Sequence, residues 1–304
     1  MWPELTKGWH GLTWAPRSPL RTLRTMNART PTVRRLDPGD LREVPLDWYD
    51  GDTDLSIFWD TLSAVFPEGE NFFVRAVREH RDAIDDAELR ARVDAFIGQE
   101  AAHGAAHRAL NRALEGRLPS AERVDRELRW VLKVLAPKLF GARQRLAITC
   151  ALEHFTALLA AQLLEDERHR AAIDARLTPL WLWHAYEEVE HEDVAFDVYL
   201  VAGGNELERR AIMALTTALF VAFMGYFYAV MATDDKRAHR PGTWLRLGYF
   251  LCVKPGLTRR LIPSYLAYFR KGFHPSQKDS GPLLERWRER LFGAEGTVPL
   301  RRAA

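Results

Sequence analysis

Two stretches of this chain concentrate side chains that do chemistry. The first is Gln99-Glu-Ala-Ala-His-Gly-Ala-Ala-His107; the second is His184-Ala-Tyr-Glu-Glu-Val-Glu-His191. Each contains a Glu-x-x-His unit, Glu100/His103 and Glu188/His191. Residues three or four apart share one face of an α-helix, so each unit aims a carboxylate and an imidazole in one direction. Carboxylate plus imidazole suits iron or manganese, and also zinc. Two facing units, with one glutamate from each of two further helices, make a dimetal site inside a helical bundle. Glu70 and Glu153 are those glutamates, and the order along the chain is Glu70, Glu100/His103, Glu153, Glu188/His191.

Other residues stand close to this set. His184 precedes Glu188 by four and His191 by seven, within about 60° of them around a helix. It reads as a third histidine ligand, or as a core histidine beside Trp181 and Trp183. His107 lies about 20° from Glu100 on the helical wheel and reads as an outer partner or an additional ligand. Glu187, Glu190 and Glu192 read as solvated or outer groups. His154 is rotated about 100° from Glu153, away from the site. Cys150 reads as a small buried residue.

Helices must hold these groups. Ile57, Phe58, Leu62 and Val65 have helical spacing from Asp54 onward. Pro67 breaks or restarts that helix and places Glu70 in a first turn. Asp85 or Asp86 caps a helix reaching about residue 114, which carries Glu100, His103 and His107. Pro119-Ser120 opens another, which Pro137 ends. A long helix from about 138 to 167 carries Glu153. Thr178-Pro179 opens the last of the set, which runs to Gly203-Gly204. No strand pattern competes, so the expected fold is all-α: a ferritin-like four-helix bundle with extra C-terminal helices. The segment at 120–136 is the crossover between two hairpins. The expected organisation is a basic, irregular segment (1–45), the metal-binding bundle (46–232), and basic aromatic helices (233–304) packed on the bundle or at a membrane surface.

The net charge of +2 conceals an uneven distribution. Residues 1–35 carry seven Lys/Arg and one acid, and the chain from Lys236 onward carries fifteen against four. Such ends suit anionic surfaces, or are ordinary solvated charge. Residues 1–25 read as a disordered leader or as the product of an upstream start codon. Two cysteines imply no disulfide framework and fit a cytoplasmic location. No secretory signal, P-loop, dinucleotide fingerprint or Cys-x-x-Cys is present. Ala211 to Met231 runs without a charge, with Ala211, Ala214, Ala218, Ala222, Gly225 and Ala229 as a small-residue stripe. It reads as a buried or homodimer-interface helix, or as a membrane-embedded one.

Four stretches together carry a family resemblance: Phe66-Pro-Glu-Gly-Glu-Asn-Phe-Phe, Gln99 to His107, Leu152-Glu-His154 and Trp183 to His191. With the late Phe273-His-Pro275, they resemble the bacterial "predicted metal-dependent hydrolase" family over roughly residues 40–275. That resemblance implies Glu70, Glu100, His103, Glu153, Glu188 and His191 as ligands. The ligand order is also similar to the ferritin-like di-iron carboxylate superfamily. His184, Glu188 and His191 are similar to the three-histidine variant of di-iron arylamine N-oxygenases. The expected cofactor is a pair of metal ions, iron in the first place, with manganese or zinc as alternatives.

Three functions follow from such a site. The favoured one is a di-iron oxidase or oxygenase that activates O2 against a hydrophobic small-molecule substrate, with an electron-donor partner. Trp59, Phe72, Phe73, Trp181 and Tyr186 would line the pocket or serve as ordinary core. The alternative is a metal-dependent hydrolase using a water between the ions. The third is a ferroxidase or metal-binding protein. Nucleic acid is not an expected partner; a membrane surface is one.

Overall fold

In the computed structural model of the chain, the described residues are 30–301. The expectation of a leader or an upstream start over residues 1–25 lies outside them. Among the described residues every extended element is a helix, with two isolated β-bridges (Leu36 to Leu300 and Tyr49 to Ile173), and the fold is all-α.

Helix α1 (Thr53–Arg78) starts at Asp52, whose side chain accepts a hydrogen bond from the Leu55 amide. It continues straight through Pro67, where a break was expected. Proline lacks an N–H, so the carbonyl four residues earlier, that of Ser63, loses its helical partner. The Asn111 side-chain amide fills that role, donating to Ser63 O at 3.0 Å. Glu70 is therefore held in mid-helix and not in a first turn.

Helix α2 (Ala87–Leu114) is capped by Asp86, which accepts from the Glu88 and Leu89 amides. It runs back along α1, with His107 and Asn111 at Ser63 and Gly104 at Glu70. Helix α3 (Ser120–Trp130) passes through an i→i+5 turn (Val131–Leu135) into α4 (Ala136–Leu139). Pro137 does not end it: it sits in the first turn of α4, where a missing N–H is harmless.

Helix α5 (Ala142–Glu165) is the central helix, followed by the short α6 (Glu167–Ala171). Helix α7 (Thr178–Glu190) stops at His191, well before Gly203-Gly204. After a three-residue turn, α8 (Val194–Val201) resumes and ends at Gly203, whose φ of 75° favours glycine. A buried ion cluster fixes the break. Arg92 pairs with Asp193 and, at 2.7 Å, with Asp197, while His274 Nε2 lies 2.9 Å from the other Asp197 oxygen. The Phe273-His-Pro275 motif thus anchors the C-terminal segment beside the turn that holds His191.

Helix α9 (Glu206–Asp234) lies along α5 and α1, followed by α10 (Pro241–Cys252), α11 (Leu257–Ala267) and α12 (Gly281–Phe292). Two apolar cores result. Within each site helix the ligand set marks the change from one core to the other. On α2, Glu100 and His103 fall between Phe96 of one core and Ala106 of the other; on α5, Glu153 falls between Ala151 and Ala160.

Candidate metal centre

The structure brings Glu70 of α1, Glu100 and His103 of α2, Glu153 of α5, and His184, Glu188 and His191 of α7 and its end into one cluster. All are buried. His103 Nδ1 lies 3.7 Å from Glu100 and 3.5 Å from Glu188. His191 Nε2 lies 3.2 Å from the same Glu100 oxygen, 3.4 Å from Glu153 and 3.7 Å from Glu188. His184 Nε2 is 2.9 Å from Glu188 and 3.8 Å from Glu70. Two adjacent positions emerge. One is bounded by Glu70, His103 and His184, the other by Glu153 and His191, with Glu100 and Glu188 reaching both.

Both carboxylate oxygens of Glu70, Glu100 and Glu153 are buried without a hydrogen-bond partner, as are Glu188 Oε2, His103 Nδ1 and His191 Nε2. Buried polar atoms are normally paired, and an orphaned one costs about 1–3 kcal/mol. Nine such atoms pointing at one spot fit a site for cations.

The outer partners say which nitrogen faces inward. His103 Nε2 faces Glu187 Oε2 at 3.1 Å, a carboxylate that only accepts, so the proton sits there and Nδ1 presents a lone pair to the cluster. His191 Nδ1 donates to Gln99 Oε1 at 3.0 Å, leaving Nε2 inward. Gln99 Nε2 in turn donates to Glu190 at 2.7 Å. One residue ties both arms together: Arg34 forks onto Glu187 at 3.0 Å and Glu190 at 3.0 Å and 3.2 Å.

A second chain fixes His184. Asn111 Nδ2 donates to Ser63 O, so its Oδ1 accepts from Ser63 Oγ at 2.7 Å. Ser63 Oγ then accepts from His107 Nδ1 at 2.9 Å, and His107 Nε2 accepts from His184 Nδ1 at 2.7 Å. His184 Nε2 is left with a lone pair facing Glu188 Oε1 at 2.9 Å. Burial, then the neighbouring His103, pushes His184 down to about 4, so it is neutral. Two lone pairs at this distance repel unless a cation lies between them. His184 thus turns a third imidazole toward the cluster, with His107 hydrogen-bonded behind it.

The electrostatics have the same origin. Burial, then the charge of Glu100, holds Glu70 well above the usual carboxylate range; burial and then Glu153 do so for Glu100. Burial raises Glu153 to about 7. Burial alone would lower His191, but the Glu153, Glu188 and Glu100 carboxylates raise it to about 9. Without cations, protons must neutralise so many buried acids. Glu187 is buried at the back of His103, Glu190 is half-buried, and Glu192 accepts from Ser280 Oγ at 2.6 Å. His154 turns away toward Ser264 O, and Cys150 is a buried free thiol.

A cavity of about 200 Å³ reaches the cluster at Glu70, His184 and Glu188. Trp59, Phe72, Phe73 and Trp181 line it, as expected; Tyr186 does not, and packs against Phe292 under Arg34. Its other walls come from α3 with its i→i+5 turn, α5 and α9, and are almost wholly apolar. Arg34 and Gln99 were missed as site residues in the sequence. Gln99 is adjacent to Glu100, which is a usable signal; nothing local marks Arg34.

The fold and site define an all-helical protein with a buried carboxylate–imidazole centre. The model of a family described as "Predicted metal-dependent hydrolase" matches residues 32–279, and the chain belongs to that family. No curated protein and no solved structure matches it. The family match overturns one expectation. The sequence favours oxidation over hydrolysis, whereas the family it belongs to is one of predicted hydrolases.

Proposed function

We propose that this protein is a hydrolase that works through two metal ions held by Glu70, Glu100, His103, Glu153, His184, Glu188 and His191. Glu100 and Glu188 lie between the two positions and would be shared by ions held there. Glu70 and Glu153 are the outer carboxylates. The observation that carries this reading is the convergence of nine partnerless buried ligand atoms in a chain of that family. Such ions polarise a scissile carbonyl or phosphoryl oxygen and make water more acidic. Hydrolysis is redox-neutral and needs no electron donor.

The chain supplies position and dryness. The cavity touches Glu70, His184 and Glu188 but not Glu100, Glu153 or His191, so substrate enters on the Glu70/His184 side. The apolar walls bind an aliphatic or aromatic group and leave the bond to be cut at the cluster. Phe66, with its ring 4.7 Å from both His107 and His184, keeps bulk water off that relay. The Asn111–Ser63–His107 chain holds the hydrogen of His184 on Nδ1, so that Nε2 faces inward at all times.

The test is metal analysis of the purified protein, then assay with p-nitrophenyl esters of short and long acyl chains, before and after chelation. Metal-dependent release of p-nitrophenol, faster with the longer chains, is expected. A metal-loaded protein inert to esters, amides and phosphoesters alike would overturn the proposal.

A further inference from the structure

Helix α9 has an unusual outer face. Its inner residues, among them Met213, Met224, Phe227 and Met231, are buried in the protein. The small-residue stripe points the other way: Ala211, Ala214, Ala218, Ala222 and Gly225 are exposed, and Ala229 is half-buried. So are Leu215, Val221 and Tyr226 between them, at 42%, 64% and 43%. The stripe is thus neither buried nor covered among the described residues. Helices α10 and α11 adjoin it. Tyr228 meets Trp244 edge-on at 5.3 Å, and Thr217 is hydrogen-bonded to Tyr265 at 3.0 Å. They extend the apolar face with Trp244, Leu245, Tyr249, Ile262 and Leu266, all exposed. From Lys236 to Lys278 the chain carries ten Lys/Arg and no Asp or Glu. Lys254, Arg259, Arg270 and Lys271 are exposed with no carboxylate within 4 Å among the described residues.

We propose that the outer face of α9, α10 and α11 docks on an anionic lipid bilayer and brings the apolar cavity under α9 to its hydrocarbon. Three observations favour this occupant. Exposed leucine, Trp and Tyr beside unpaired cations match the headgroup boundary of an anionic membrane. A second copy does not fit, because a two-fold interface sets like patch against like and would bring the unpaired Lys254, Arg259, Arg270 and Lys271 of one copy against the same four of the other. Finally, Leu215 and Leu219 belong both to the cavity wall and to the exposed face, at 42% and 41% exposure, so the two are continuous. The helix lies on the bilayer and does not cross it. Arg209 in its first turns is buried and donates to Tyr268 O and Arg270 O, and its inner face is committed to the protein core.

The test mixes the full-length protein with vesicles of phosphatidylcholine alone, or with added phosphatidylglycerol, and separates bound protein by flotation. Binding is expected to the anionic vesicles, weakened by salt, and much less to phosphatidylcholine. Arg259→Gln and Lys271→Gln should each weaken it about fivefold. The double variant Val221→Glu/Leu245→Glu should abolish it while keeping the wild-type circular dichroism, since both side chains are mostly exposed. Three outcomes overturn the proposal: no binding to anionic vesicles, undiminished binding by that double variant, or a solution dimer that the variant disperses without any vesicle binding. Docking needs neither metal nor turnover, so it stands or falls separately from hydrolysis.

Discussion

Arg34 is the most informative residue to remove. It comes from the irregular segment before α1 and is 153 residues from Glu187 in sequence. Its fork holds Glu187 and Glu190, and through them His103 and, by way of Gln99, His191. Its guanidinium also lies over the Phe292 ring at 4.3 Å. In Arg34→Ala, the side chain of Glu187, with no exposure to solvent, loses the cation it pairs with. Breaking a buried pair this way costs about 3–5 kcal/mol. The exposed end of the Arg34 side chain, at 10%, places the loss at the lower end of that range. Loss of an outer partner of a ligating histidine weakens metal binding by about 10–100-fold. Two histidines are affected, so the fall should approach the upper figure. Urea unfolding of the chelated protein measures the first effect, and competition with a chromophoric chelator measures the second. Arg34→Lys should recover part of the stability but not the affinity, because a single ammonium cannot fork onto both carboxylates. If Arg34→Ala stays folded and binds metal within about twofold of wild type, the outer network does not orient these histidines, whatever typical partners contribute.

Three further outcomes follow from the geometry. Glu100→Ala or Glu188→Ala should lose bound metal by elemental analysis, since each faces both positions; full occupancy would remove them from the ligand set. Replacing Asn111 by Leu should destabilise the protein by about 1–3 kcal/mol in thermal unfolding, because the Ser63 carbonyl freed by Pro67 is then unpaired; an unchanged melting temperature would show that α1 passes Pro67 without that help. The pH dependence of the metal-free protein has a definite sign. Burial raises Glu70, Glu100 and Glu153, the last to about 7, so the folded state holds these protons more tightly than the unfolded chain. Their contribution to stability is complete below about 4.5, and that of Glu153 is lost as pH rises through about 7. Denaturant midpoints should therefore fall over that range without metal. Metal binding displaces the same protons and should strengthen as pH rises; a flat profile in both states would contradict the burial of these carboxylates.

The sequence by itself determined the all-helical class, because helical spacing and caps such as Asp86 are local signals. It also determined which residues gather, since two Glu-x-x-His units on helical faces leave little choice of direction. The family was legible for the same reason, in motifs of adjacent residues. Helix continuity was not. Pro67 was expected to break α1, and only an amide from Asn111, on another helix, lets it pass. The stop at His191 is set by Arg92 and His274, remote in sequence from Asp193 and Asp197. The tautomers of His103, His184 and His191 likewise depend on partners that only packing brings near, Arg34 above all. The direction faced by the stripe on α9 was also left to the tertiary structure. An apolar helix has the same sequence whether a protein core or another phase covers it, and the packing of α1, α3 and α5 against one side decided which face stays bare.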